Sequence, residues 1–179
     1  MVSEYISYFR SLAIAHTDIA HNPLSETDAA GASEKHFTRI AIEEVIGGLR
    51  SAVGFPCLAL EIYETEIHSE NPISLKSITQ GAFMVIDHPA TDSFADEQAV
   101  YEKTERIVFE LLQKIWQDHY SSAAQMCDRP FSFFDFDKMT ITPVGPLFTG
   151  EHGYRVTFSF ELQKTVDITK PPAAGVFNI

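Results

Sequence analysis

The segment from Tyr154 to Lys164 has an unbroken alternation of apolar and polar residues. The apolar positions are Tyr154, Val156, Phe158, Phe160 and Leu162. Successive side chains of a β-strand point to opposite faces of a sheet, so this pattern predicts a strand with one buried face. Three further segments read as strands: Cys57–His68, Ile78–Asp87 and a shorter one around Lys138–Thr142.

Three other segments have helical periodicity. Tyr5, Phe9, Leu12 and Ala13 predict a helix over Ser3–His21, and Ser33 is a suitable N-cap for a second helix through Leu49. The longest helix is predicted over Asp96–Tyr120, where it would extend about 37 Å. Its apolar stripe is Val100, Thr104, Ile107, Val108, Leu111 and Ile115, and the end of the stripe reaches Trp116.

The order of these elements predicts the fold class. Strands that follow one another in pairs favour hairpins, which build an antiparallel four-stranded sheet with the long helix and the N-terminal helices on its apolar face. We therefore expect an α+β sandwich of two layers. A single domain over 1–179 would comprise an N-terminal helix and loop (1–32), a core (33–165) and an extended tail (166–179).

The composition indicates that the chain can form a hydrophobic core without disulfide bonds or bound metal ions. Of its 179 residues, 45% are hydrophobic and 14 are Phe. Cys57 and Cys127 do not form a disulfide framework, and Cys57 is expected to be a buried thiol. The N-terminus has no signal-peptide pattern, and no apolar run reaches the ~20 residues that span a bilayer. We expect cytoplasmic synthesis and no membrane partner.

The charge balance narrows the possible partners. The chain has 13 basic and 25 acidic residues, a net charge of −12. Binding nucleic acid through its phosphates requires a basic surface, so this class is disfavoured. A strongly acidic surface is instead suited to a protein that DNA passes without adhering.

The motifs of common catalytic sites are absent from the sequence. His16 and His21 are five residues apart, whereas a helical metal pair is spaced by four, and the chain has no C-x-x-C, G-x-S-x-G or P-loop motif. We therefore expect no catalytic residue, no metal ion and no cofactor, and a protein that is not an enzyme. Glu61, Glu64 and Glu66 form an acidic group that could be an acid–base pair in an enzyme. The interpretation we favour is a solvated or subunit-facing edge.

The stretch "PFSFFDFDK" places four Phe residues within six positions. A regular strand cannot bury both Phe133 and Phe134 on one face, which leaves two interpretations: a bulge or loop that fills the core, or an apolar surface that meets another subunit. The tail "AAGVFNI" ends in apolar residues that are expected to be buried, in an assembly against the neighbouring subunit. The predicted interface residues are Phe131, Phe133, Phe134, Phe148 and Phe177.

Two stretches, "CLALEIYETEI" through "GAFMVIDH" and "ITPVGPLFTGEHGYRVTFSFEL", together with the element order, resemble the tail-terminator and tail-completion proteins of tailed bacteriophages and contractile particles. The run "HFTRIAIEEVIGGLRSAVGFPCLALE" is also similar to proteins of prophage regions. The resemblance covers 35–165. It implies a homo-oligomeric, usually hexameric, ring on the tail tube, with tube, sheath or head–tail connector proteins as partners and DNA only as passing cargo. The finished protein would be located in the virion, and Glu61, Glu64 and Glu66 would lie in the lumen or at an interface.

Two alternatives remain open at this stage. A head–tail connector or a tube-like tail subunit has a related plan, but a tube subunit needs a long hairpin arm, and the predicted loop Ser69–Ser77 is short. A small-molecule-binding or enzymatic domain would instead have a pocket between the long helix and the sheet. Glu61, Glu64, Asp87 and His88 would form the polar side of that pocket.

Overall fold

The computed structural model describes residues 2–26, 35–40, 53–71, 74–120, 134–147 and 150–161. Two α-helices, one short 3-10 helix and six strands are seen in these residues, and they confirm the predicted α+β class. In chain order they are α1 (Val2–Ala15), the 3-10 helix (Pro23–Glu26), β1 (Lys35–Ile40), β2 (Val53–Glu61), β3 (Glu64–Asn71), β4 (Ser74–Asp87), α2 (Phe94–Tyr120), β5 (Phe134–Leu147) and β6 (Glu151–Glu161).

The strands form one mixed sheet in the order β1-β2-β4-β6-β5, and β3 also pairs with β4. The β1–β2 pair is parallel and every other described pair is antiparallel. The predicted four-stranded antiparallel sheet is therefore wrong in strand number and in the direction of one pair. The two predicted hairpins, β2/β3 with β4 and β5 with β6, are present.

Strand β1 occupies residues where the sequence predicted the start of a second helix. Phe37 lies opposite Leu58 of β2, and both side chains are buried in the same core. Pairing with β2 and burial of Phe37 outweigh the helical spacing, because strand preference depends mainly on packing against neighbours. The rest of that predicted helix, 41–49, lies outside the described residues.

The predicted strand Cys57–His68 is interrupted at Ile62 and Tyr63. Both halves pair with β4: β2 with its C-terminal part and β3 with its N-terminal part. The β3–β4 pairing continues to Asn71 and Ser74, within the segment predicted to be the loop Ser69–Ser77. The hairpin arm is thus longer than the sequence indicated.

Both helices pack on one face of the sheet. The predicted stripe of α1 is buried, although the helix ends at Ala15 instead of His21, and the predicted stripe of α2 is buried from Val100 to Ile115. Trp116 is 47% exposed and does not belong to that stripe. The alternation in β6 is confirmed, since Val156, Phe158 and Phe160 are buried under the helices.

A close approach at Gly81 of β4 fixes the position of α1. The Tyr5 hydroxyl donates a hydrogen bond to the backbone carbonyl of Glu61 at 3.2 Å. A Cβ at Gly81 would lie 2.8 Å from that hydroxyl and 2.7 Å from the Phe158 ring. Because real Cβ contacts of this length are essentially never seen, Gly81 leaves the space that Tyr5 and Phe158 occupy.

Candidate functional site

The face of the sheet opposite α1 and α2 is covered by neither of the two described helices, and in that sense it is here called the helix-free face. It has two halves of different character. Its apolar half is buried and consists of Cys57, Ala59, Met84 and Ile86. Its polar half is exposed or partly exposed and carries Glu64, Glu66, Gln80, Thr140, Thr142, Thr157 and Ser159. Opposite residues of an antiparallel pair share a face, so the strand register places these side chains together.

Glu61 and Arg155 form an ion pair across β4 on this face. The Arg155 guanidinium donates two hydrogen bonds to the Glu61 carboxylate, at 2.6 Å and 2.7 Å. Glu61 lies on β2 and Arg155 on β6, the two strands that flank β4, so the two side chains meet across β4. The bond to Glu61 raises the pKa of Arg155 above its ordinary value, although partial burial acts in the opposite direction. Glu61 itself is 5% exposed.

Glu64 and Glu66 are exposed, unlike Glu61. They lie opposite Gln80 and Ile78, which confirms that they share a face, with their Cα atoms about 7 Å apart. The structure therefore brings the three predicted acidic residues to one face but exposes only two of them. Their role at a lumen or an interface stays a prediction.

A second group of polar side chains, here called the sheet-end cluster, joins the N-terminal half of α2 to the sheet. It consists of Asp87, His88, Tyr101, Lys103, Glu151 and His152. Lys103 donates to Asp87 at 2.7 Å, Tyr101 and His152 are hydrogen-bonded at 3.1 Å, and His88 lies 3.8 Å from the Glu151 carboxylate. The carboxylates of this cluster are thus engaged by cations or imidazoles, and its bonds hold α2 against the end of β4.

The polar pocket of the enzymatic alternative is not assembled as the sequence suggested. Glu61 lies beside Ala82, five residues from Asp87 along β4, or about 16 Å. The strand alternation also puts Glu61 and Asp87 on opposite faces. Among the residues that the structure describes, no group of three or more His, Cys, Asp or Glu side chains could hold a metal ion.

The third surface feature is a group of aromatic rings, here called the α2 aromatic patch: the exposed Phe109, Trp116 and Tyr120, and the partly buried Phe136. Phe109, Trp116 and Tyr120 are 55%, 47% and 52% exposed, and Trp116 packs on Phe136 of β5 with ring centroids 4.6 Å apart. Sequence reasoning missed this patch. The signal for it was the spacing of Phe109, Trp116 and Tyr120, which places them on the helix face opposite the buried stripe.

The predicted aromatic interface can be located only in part. Phe134 begins β5 opposite Phe160, while Phe131, Phe133, Phe148 and Phe177 lie outside the described residues. Phe136, from the same Phe-rich run, is partly buried and contacts α2. Both interpretations of that run therefore remain predictions.

Comparisons of the chain with protein families, with curated proteins and with solved structures found no match. Neither of the two described helices combines the length and the hydropathy needed to cross a membrane.

Proposed function

We propose that the protein is a structural subunit of a phage-like tail. It resembles a tail terminator that forms a ring on the tail tube and joins the tube to the head. The observation that carries the proposal is the polar half of the helix-free face. A sheet with its described helices on one face and an exposed, acidic region on the other can line an aqueous opening with that region while those helices face outward.

The charge on this half of the sheet fits the passage of DNA. Arg155 is neutralised by Glu61, and Lys138 lies 2.8 Å from the Asp135 carboxylate. Glu64 and Glu66 are exposed to solvent. Repeated around a ring, such carboxylates repel phosphate groups, so duplex DNA would pass without adhering.

A tube-like tail subunit is the second candidate, favoured by the length of the β3–β4 hairpin. The sequence predicted a short arm, which disfavoured this candidate. The paired strands instead reach Asn71 and Ser74, so the length of the arm does not separate the two candidates.

The oligomeric state, alone and with tail tubes, tests the proposal. Native mass spectrometry and electron microscopy of the purified protein should reveal closed rings of about six subunits, or rings that form when tubes are added. Long filaments would favour the tube-like subunit. A protein that remains a monomer and does not bind tubes would contradict both.

Charge reversal then tests the orientation of the subunit. We expect rings of Glu64→Lys/Glu66→Lys to retain duplex DNA at low salt, while wild-type rings do not. The matched control is Glu102→Lys/Glu105→Lys, which makes the same charge change on exposed positions of α2. If the control retains DNA as strongly as the test variant, the helix-free face does not line the opening.

A further inference from the structure

The α2 aromatic patch is large enough to require an explanation. Phe109, Trp116 and Tyr120 are each about half exposed. Since a large aromatic side chain buries 150–250 Å², Trp116 and Tyr120, which pack together, leave roughly 200 Å² of apolar surface open, and Phe109 adds roughly 100 Å² on the same side of the helix. Together these areas reach the lower end of the range for the largest apolar patch on a typical monomer, and such patches are often functional.

The chain leaves the sheet beside this patch. Tyr101, near the start of α2, contacts His152 at the start of β6, so α2 and β6 run in the same direction. Near the other end of α2, Trp116 contacts Phe136 of β5. Phe160, next to the last residue of β6, lies opposite Phe134, two residues from Phe136.

The segment that follows β6 has the chemistry to cover exposed rings. The nine residues 162–170 between β6 and Pro171 can extend to about 30 Å, enough to reach the patch from the end of β6. Pro171-Pro172 favours an extended, polyproline-type backbone, and Val176, Phe177 and Ile179 follow it. Extended proline-containing segments characteristically dock on surfaces lined by Trp and Tyr.

We propose that, in the free subunit, residues 171–179 dock on the α2 aromatic patch of the same chain. Pro171-Pro172 and Phe177 lie against Trp116 and Tyr120. The short connection from β6 gives the segment a high effective concentration at its own patch, which favours the intramolecular contact over capture by another molecule. This inference concerns the unassembled subunit and does not depend on the proposed function.

Trp116 is the single Trp of the chain, so its fluorescence reports on the patch directly. We compare full-length wild type with Pro171→Ser/Phe177→Ser, using the polar-site control Thr169→Ser/Asn178→Ser. In the test variant we expect a red shift of the emission. We also expect a rise of roughly twofold in the acrylamide quenching constant, because the docked segment shields the half-exposed Trp116 ring from the quencher. The control should behave like the wild type.

A second measurement keeps the test valid if the double substitution perturbs the fold. A synthetic peptide of residues 165–179, added to full-length Pro171→Ser/Phe177→Ser, should restore the protection of Trp116, while the same peptide carrying Phe177→Ser should not. Identical quenching of wild type and test variant would overturn the proposal. So would protection that disappears on dilution together with self-association seen by light scattering, because the segment would then cover the patch of another subunit.

Discussion

Removal of the Arg155 side-chain charge gives the sharpest test of how the helix-free face is stabilised. In Arg155→Met the Glu61 carboxylate, 5% exposed, loses both of its hydrogen bonds to the guanidinium. A buried charge without its partner is costly, and breaking a fully buried pair costs about 3–5 kcal/mol. The side chain of Arg155 is 35% exposed, so water offsets part of that loss. We expect a loss of about 2–3 kcal/mol in the free energy of unfolding.

The matched variant is Glu61→Leu/Arg155→Met, which replaces both charges with apolar side chains. Such a replacement leaves no buried charge, and it is often neutral or stabilising. We therefore expect the double variant to lie within about 1 kcal/mol of the wild type. The single variant Glu61→Leu completes the cycle, and we expect it to cost less than about 1 kcal/mol because Arg155 is partly exposed. The coupling between the two sites would then be about 2 kcal/mol, as is typical of residues in direct contact.

Urea unfolding followed by circular dichroism measures these differences. For a chain of this size, the single variant should also melt about 5–10 °C lower. A loss below about 0.5 kcal/mol in Arg155→Met would place it in the range of ordinary surface substitutions and refute the reasoning. If the loss in the double variant equals the sum of the losses in Arg155→Met and Glu61→Leu, the two side chains do not stabilise each other.

Two further predictions concern positions in the sheet itself. Gly81→Ala should destabilise the protein by about 1–3 kcal/mol in the same unfolding assay, because its new methyl group overlaps Tyr5 and Phe158. An unchanged unfolding midpoint would mean that α1 can shift to accommodate the methyl group at no cost in stability. Burial raises the pKa of the Cys57 thiol to about 12, so in a Cys127→Ser background this thiol should resist labelling by a thiol reagent at pH 8 until the protein is unfolded. Rapid labelling under native conditions would contradict the burial of Cys57.

Local periodicity was sufficient to predict the buried residues of a helix or strand that has a single buried face. The stripe of α2 from Val100 to Ile115 and the buried positions Val156, Phe158 and Phe160 of β6 were predicted correctly, because periods of 3.6 and 2 record directly which side meets the core. The same reasoning failed for β1, where Phe37 fits a helical stripe as well as a strand. The strand forms because Phe37 pairs with Leu58 of β2, a residue that is distant in sequence.

In the candidate site, too, the sequence predicted what depends on one strand but not what depends on residues distant in the chain. Grouping Glu64 with Glu66 required only the alternation of one strand, and it was correct. The partner of Glu61 could not be predicted, because it is Arg155, which lies two strands away. The exposure of Trp116 was missed, although its spacing from Phe109 and Tyr120 places it on the helix face opposite the buried stripe.

The amino-acid pattern alone therefore set the α+β class, the hairpins, the buried stripes and the acidic character of the chain. The parallel β1–β2 pair, the β3–β4 arm, the Glu61–Arg155 pair and the α2 aromatic patch depend on how distant segments come together. Periodicity reports which side of an element is apolar, whereas strand order, register and ion pairing arise from contacts between residues far apart in the chain.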